Sequence, residues 1–127
     1  MIIDDSDDRF YVAESRIPGA GQGLFARHAL AAGDRFEVIG ALVRSGSVSD
    51  QCTHYADHYK VLAGDGLLLV PMGYGSLVNH SQTPNLEKVI EDQRVFFRAL
   101  RPITTGEELC FRYSDTGLER LGLTDAG

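Results

Sequence analysis

The sequence predicts a small, mostly β protein with short helices, and three observations lead to this fold class. The length of 127 residues is that of one domain with a single modest core. Short apolar runs alternate with glycine-containing bends, which is typical of short strands. Only one internal segment carries a clear helical period. The apolar fraction of 43% is that of a folded chain, and no repeat or low-complexity linker divides it.

Six short strands are predicted along the chain. They cover residues 10–12, 35–39, 67–70, 88–90, 95–97 and 108–113. A glycine-rich bend around residues 18–23 separates the first two, and residues 91–94 join the fourth and fifth as a hairpin. Pro71 ends the run at 67–70, because proline cannot donate to a sheet ladder.

One internal helix is predicted between residues 52 and 63. Its apolar stripe follows three- and four-residue spacings and consists of Cys52, Tyr55, Ala56, Tyr59, Leu62 and Ala63. Ser47 or Ser49 can cap its start, and Gly64 can stop it. A shorter helix is predicted near residues 118–121, and the acidic start at residues 4–8 is expected to be frayed.

Charge and cysteine content limit the class of partner and the compartment. The formal net charge of −6 argues against direct binding to nucleic acid and favours a basic partner, such as a lysine-rich protein segment. Cys52 and Cys110 are too few for a disulfide scaffold. With neither a secretory signal nor a membrane-length apolar run, we expect a cytoplasmic protein that makes no membrane contact.

Three segments contain residues that could carry chemistry, although each has an ordinary structural interpretation. Gly19, Gly21 and Gly23 permit a positive φ and close approach to a ligand, yet an isolated Gly-x-Gly is more often a surface turn. The string from Asn79 to Asn85 contains turn-forming side chains. A tyrosine near a strand end, such as Tyr113, is usually a packing residue. The glycine spacing is not that of a dinucleotide-binding fold.

Two other chemistries fit the residues less well. His54 and His58 lie four apart, but Tyr55 stands where a zincin has glutamate, and both histidines fall on the polar face of the predicted helix. We therefore predict no metal site. A hydrolase built on His80 and Ser81 is disfavoured, because adjacent side chains rarely align and no Gly-x-Ser-x-Gly elbow is present.

Taken together and in this order, the segments 21–26, 79–85 and 106–113 resemble the SET-domain family of S-adenosylmethionine-dependent protein lysine methyltransferases. The resemblance runs from about residue 10 to residue 113. It implies a SET-type knotted β fold of several small sheets, with residues 1–127 as one domain and a short tail from 114 to 127. Without flanking cysteine-rich segments, the chain is similar to the minimal, stand-alone bacterial or viral members.

The resemblance also implies site residues. S-adenosylmethionine would be held by Gly21, Gln22, Gly23, Asn79 and His80. Tyr113 would be the catalytic residue that orients the lysine of a protein or peptide substrate. Phe111 and Val38 would line the channel for that lysine. Because methyl transfer from a sulfonium is an in-line displacement, the protein needs mainly alignment and a dry channel.

Departures from the family pattern leave two other functions open. Val38 stands where an aromatic residue is common, and Arg112 stands where an acidic residue is typical. The principal alternative is therefore a catalytically inactive SET-fold module that binds a peptide or partner. The second alternative is a purely structural, dimerising domain. A homodimer is compatible with the enzyme and with both alternatives.

Overall fold

Ten short strands in four small sheets form the framework of residues 3–113, the part of the chain that the structure, a computed structural model, describes. In chain order they are β1 (Phe10–Glu14), β2 (Gln22–Ala26), β3 (Arg35–Glu37), β4 (Gly40–Arg44), β5 (Val61–Gly64), β6 (Leu67–Pro71), β7 (Asn79–His80), β8 (Leu86–Glu91), β9 (Arg94–Ala99) and β10 (Cys110–Phe111). The helical segments there are α1 (Val48–Cys52) and two 3-10 helices, His54–Ala56 and Gly73–Leu77. The predicted fold class, mostly β with small sheets and short helices, is confirmed.

A parallel pair of two-residue strands joins two distant parts of the chain. β7 pairs with β10, so that Asn79 lies opposite Cys110 and His80 lies opposite Phe111. Parallel strands need a long crossover, and here the crossover carries the β8–β9 hairpin, whose β9 also pairs with β3. The other two sheets are the β1–β2 hairpin and the sheet of order β4–β6–β5. The crossover therefore brings residues 110–113 beside Asn79.

The main hydrophobic core draws side chains from most of the strands. Its largest fully buried side chains are Phe10, Leu24, Leu86, Val95, Phe97, Ile103 and Leu109. The Phe36 ring lies between two of them, with its centroid 4.6 Å from that of Phe10 and 5.7 Å from that of Phe97. Tilted aromatic pairs of this kind stabilise a core beyond the area that they bury. This core holds the β1–β2 hairpin against the β3–β9–β8 sheet.

Most predicted strands are confirmed, with changes at their ends. The hairpin forms as β8 and β9, and its turn residues Asp92 and Gln93 both have positive φ, as a tight hairpin turn requires. The runs at 10–12 and 67–70 are β1 and β6, the run at 35–39 shortens to β3, and the run at 108–113 shortens to β10. Four strands, β2, β4, β5 and β7, are additional, and β2 begins inside the predicted bend.

The predicted helix over residues 52–63 is wrong for most of its length. Ser47 does cap α1, because its side chain accepts a hydrogen bond from the Asp50 amide, but α1 ends at Cys52. Leu62 lies in β5 opposite Leu68. Tyr55 and Tyr59, expected on the buried stripe, are 78% and 58% exposed. Pairing with β6 thus overrides the local apolar spacing.

The expectation of a frayed acidic start is also wrong for the residues that the structure describes. The Asp5 carboxylate accepts a 2.9 Å hydrogen bond from the Tyr74 amide, at the start of the 3-10 helix Gly73–Leu77. Asp7 forms an ion pair with Arg9 at 2.7 Å. The helix predicted near 118–121 lies outside the described residues. Within residues 3–113, the helices are too short to cross a membrane.

Candidate functional site

The loop between β1 and β2 carries the glycines that the sequence analysis selected. Gly21 has a φ of 76°, and its carbonyl accepts a 2.8 Å hydrogen bond from the Ser15 amide, which closes the loop. A β-carbon added at Gly21 would meet nothing within 4 Å. The backbone conformation alone therefore favours glycine at this position, and the space beside it stays open.

Gly23 is required for a different reason, the close approach of Glu108. A β-carbon added at Gly23 would lie 2.6 Å from Glu108 Oε2 and 3.3 Å from the Ser15 β-carbon. The glycine thus leaves room for a carboxylate that comes from the far end of the chain. Gln22, between the two glycines, begins β2 and is exposed.

Glu108 fastens three separate segments together. Its Oε2 accepts hydrogen bonds from the Ser15 hydroxyl at 2.7 Å and from Asn79 Nδ2 at 3.2 Å. Its Oε1 accepts one from the Arg16 amide at 2.9 Å. Hydrogen bonds to a charged acceptor are stronger than neutral ones. One side chain therefore sets the position of the β1–β2 loop relative to β7.

Asn79 contacts the glycine loop directly. Its Nδ2 donates to the Gln22 carbonyl at 2.9 Å as well as to Glu108. Its Oδ1 accepts no hydrogen bond from any residue in the range 3–113. The side chain thus stabilises the loop with its amide nitrogen and leaves its oxygen as an acceptor.

His80 and Tyr113 lie against each other. The Tyr113 amide donates to His80 Nδ1 at 2.9 Å, and their ring centroids are 5.2 Å apart. The Tyr113 hydroxyl donates to the Val78 carbonyl at 3.4 Å. Burial raises the pKa of Tyr113 to about 12, so its phenol is protonated at neutral pH. The structure therefore places a neutral, anchored phenol beside the β7 strand.

Asn85 fixes the backbone of the segment that contains Glu108 and Cys110. It is only 4% exposed, its Nδ2 donates to the Glu108 carbonyl at 2.9 Å, and its Oδ1 accepts from the Cys110 amide at 2.9 Å. A buried amide with both of its ends satisfied locks the segment that leads into β10. Asn85 thus positions Glu108 and Cys110 without facing a ligand space itself.

Tyr113 also lines a cleft of about 450 Å³. Phe97, Phe111 and Tyr113 form an aromatic row along it, with successive ring centroids 4.6 and 5.0 Å apart. Other lining residues include His58, Tyr59, Lys60, Leu62, Val78, Glu87 and Lys88. The cleft therefore combines an aromatic row with charged side chains on its walls.

Phe111 and Val38, both predicted for the lysine channel, take different places. Phe111 lines the cleft. Val38 is 2% exposed and packs in the core, directly behind Gly75, where an added β-carbon would lie 2.7 Å from Val38 Cγ1. Gly75 lines the cleft and Val38 does not. Val38 therefore shapes the wall from behind.

The roles of Ser15, Asn85 and Glu108 are not apparent from the sequence motifs. Glu108 and Asn85 belong to the motif segments 106–113 and 79–85, but their partners lie 93 and 25 residues away, which no local pattern reveals.

The histidine pair considered for a metal site is not part of a ligand cluster. His54 binds Asp57 at 2.7 Å on the surface. Across residues 3–113, no group of three or more His, Cys, Asp or Glu side chains is arranged to hold a metal ion.

Comparison with known proteins agrees with this arrangement of motifs. Residues 21–114 match the family model described as SET domain. The histone-lysine N-methyltransferase, H3 lysine-37 specific, of Schizosaccharomyces pombe is 30% identical over 99 residues, which cover 75% of this chain and 67% of that protein.

Solved structures share the fold over most of the chain. A chain in the crystal structure of the Chaetomium thermophilum polycomb repressive complex 2 gives a TM-score of 0.72 at 22% identity and covers 84% of this chain. The same complex bound to GSK126 gives 0.74 at 22% identity and covers 89%. The match spans only 15% and 17% of those two longer chains. At these identities the likeness shows the fold alone.

Proposed function

Because this chain belongs to the SET-domain family, we propose that it is a protein-lysine N-methyltransferase that uses S-adenosylmethionine. One observation carries the proposal. The protonated phenol of Tyr113 donates to the Val78 carbonyl, its ring packs against the His80 ring, and it lines a cleft together with Phe97 and Phe111. This arrangement supports assigning the reacting lysine amine to the cleft beside the Tyr113 hydroxyl, and the cofactor to the glycine loop and β7.

The residues around the glycine loop fit the cofactor in their chemistry. Gly21 leaves open space beside an exposed loop, and Asn79 Oδ1 is an acceptor for an ammonium or amino group. We assign the cofactor to Gly21, Gln22, Gly23, Asn79 and His80, with Glu108 holding the first four in register. When bound, S-adenosylmethionine supplies a sulfonium methyl group for in-line transfer to the amine.

The chain's own residues prepare the amine for this transfer. Burial in the cleft beside Phe97 and Phe111 would desolvate the incoming ammonium and lower its pKa, so that it can release its proton to water before attack. The Tyr113 hydroxyl donates a hydrogen bond to the Val78 carbonyl, so the phenol oxygen can still accept a hydrogen bond from an N–H of the amine. Tyr113 therefore orients the nitrogen lone pair and does not act as a base.

A methyl-transfer assay tests the proposal. Purified chain is incubated with S-adenosylmethionine carrying a labelled methyl group and a lysine-rich protein mixture, and label on lysine is measured by mass spectrometry. We expect transfer by the native chain and at least a roughly tenfold lower kcat for Tyr113→Phe, because the amine loses its alignment. Tyr55→Phe, at an exposed position outside the cleft, is the matched control. Full activity in Tyr113→Phe would refute the role of the hydroxyl.

Calorimetry separates the enzyme from a non-catalytic module. We expect S-adenosylmethionine to bind the native chain and to bind Asn79→Ala more weakly, with thermal unfolding used to check that the variant folds. A folded native chain that binds no cofactor would refute the proposal. Cofactor or peptide binding without transfer to any lysine substrate would instead support the binding module.

We further propose the minimal, stand-alone type, in which residues 1–127 act as one domain in the cytoplasm on a lysine-containing protein. The cleft, the glycine loop and Tyr113 all lie within residues 3–113, which supports this proposal. The free thiols of Cys52 and Cys110 suit a reducing compartment. Turnover by the isolated chain tests the first part, and light scattering distinguishes a monomer from a homodimer.

A further inference from the structure

Two charged side chains on the walls of the cleft, those of Lys60 and Glu87, are paired within the protein. The Lys60 ammonium lies 2.7 Å from Asp50 Oδ1 and 2.6 Å from Asp57 Oδ1, and its side chain has no exposed surface. Glu87 forms an ion pair with Arg98. The charges of Lys60 and Glu87 are therefore already engaged by partners of opposite sign.

Lys88 differs from them. Its Nζ donates to the Leu62 carbonyl at 3.0 Å, and within residues 3–113 no carboxylate lies within ion-pair distance of it. The side chain is half-buried, and desolvation lowers its pKa. A carbonyl oxygen satisfies one of its three N–H groups and none of its charge. Lys88 thus presents an uncompensated cation to the cleft.

This cation conflicts with a cleft that must admit lysine. A lysine-containing substrate brings a positive charge past Lys88, and like charges brought together on binding weaken it. An anionic group on the substrate would remove the conflict and pair with Lys88.

The geometry places Lys88 within reach of residues that flank the target lysine. Lys88 lies directly opposite Phe97 in the β8–β9 pair, so both side chains are on one face of the sheet. Phe97 is the first ring of the aromatic row that leads through Phe111 to Tyr113. Because an extended peptide advances about 3.4 Å per residue, a side chain within roughly three residues of the target can span this row.

We propose that Lys88 determines substrate specificity by binding an acidic side chain that flanks the target lysine. The inference rests on the proposed function and specifies its substrate class as lysines with an acidic neighbour. The protein's overall negative charge acts at long range and attracts basic proteins. Lys88 acts at contact distance and selects among the lysines of such a protein.

The alternative is that Lys88 only ties β8 to the edge strand β5 through the Leu62 carbonyl. The two accounts predict different results for substitutions that differ in charge. A tether lost by substitution lowers activity on all peptides alike. A specificity determinant changes the ranking of peptides.

The test uses peptides that share one target lysine and carry Glu, Gln or Arg at each of three positions on either side. For the native chain we expect kcat/KM to favour Glu over Gln by about tenfold at one position, the size of one charge-assisted hydrogen bond. Lys88→Glu should reverse the ranking in favour of Arg, and Lys88→Met should abolish it while keeping an apolar side chain. Lys88→Arg should preserve it if Lys88→Glu does not fold.

Arg44→Glu is the matched control, because it changes the net charge equally at an exposed residue that does not line the cleft. It should leave the ranking unchanged. No charge preference in the native chain, or a ranking that survives Lys88→Glu, would overturn the proposal. Failure to methylate any peptide would refute the proposed function instead, and peptide binding measured by fluorescence anisotropy would still report the Lys88 preference.

Discussion

The carboxylate of Glu108 accepts a 2.7 Å hydrogen bond from the hydroxyl of Ser15, which lies 93 residues earlier in the chain. The same oxygen accepts from Asn79 Nδ2. This contact makes the glycine loop, β7 and the segment before β10 one structural unit. The cofactor residues proposed above therefore depend on a side chain that need not touch the cofactor.

Glu108→Gln should weaken this unit without removing its bulk. In glutamine an NH₂ group replaces one of the two carboxylate oxygens, both of which accept hydrogen bonds in the native chain. At least one of the bonds from Ser15, Arg16 or Asn79 is therefore lost. We expect a loss of about 1.5–3 kcal/mol in the free energy of unfolding, the usual contribution of a hydrogen bond to a charged group. We also expect a weaker Kd for S-adenosylmethionine. Urea unfolding and calorimetry measure the two effects.

The exposed Glu14→Gln on β1 is the control for Glu108→Gln, since it removes the same charge from the end of the hairpin. It should change neither quantity. Equal effects of the two substitutions would mean that Glu108 acts only through the net charge.

Gly23→Ala tests why this glycine is needed. The added β-carbon would lie 2.6 Å from Glu108 Oε2, so the carboxylate must move away from Ser15. We expect a destabilisation of about 1–3 kcal/mol in the native background, the usual range for overpacking. In a Glu108→Ala background the same substitution should cost much less. A double-mutant cycle on the free energy of unfolding measures this coupling, and strict additivity would contradict the contact.

Glu107 gives a pH dependence of known sign. Its hydrogen bond from Arg101 lowers the pKa of Glu107 from its ordinary value of 4.5 to about 2. The unfolded chain therefore binds more protons than the folded chain between these values. The stabilisation is present above pH 4.5 and is lost as the pH falls towards 2. In Glu107→Gln this part of the acid destabilisation should disappear. Urea unfolding across that pH range measures it, and parallel curves for the two proteins would contradict the ion pair.

The sequence predicted the site motifs better than it predicted the elements between them. The glycine loop, Asn79, His80 and Tyr113 were selected from one family pattern, and the structure brings them together through direct hydrogen bonds. Their roles in binding and catalysis stay predictions. Motif strings identify such sites because the chemistry restricts the residue type at each position.

The segment from 52 to 63 shows why other features could not be predicted. Its apolar spacing fits a helix, but Val61 and Leu62 pair with β6, and only the tertiary contact to Leu69 and Leu68 decides between the two structures. Val38 was assigned to the channel from the same family pattern, yet packing places it behind Gly75. The bond between Glu108 and Ser15 is likewise absent from any local pattern.

Lys60 is expected to hold the segment that replaces the predicted helix. Its ammonium bonds Asp50 Oδ1, Asp57 Oδ1 and the Asp50 carbonyl, which ties α1 to the residue before β5. Although burial opposes its charge, the hydrogen bonds that it donates to both aspartates raise the pKa of Lys60, and the same bonds lower the pKa of each aspartate. Lys60→Met would remove the cation that joins the carboxylates of Asp50 and Asp57. We expect faster amide hydrogen exchange across residues 48–60 at neutral pH, with exchange in the β8–β9 hairpin unchanged.

Lys88→Met removes the only other lysine and serves as the control for Lys60→Met. Unchanged exchange across residues 48–60 in Lys60→Met would show that α1 is held by its cap and its packing alone.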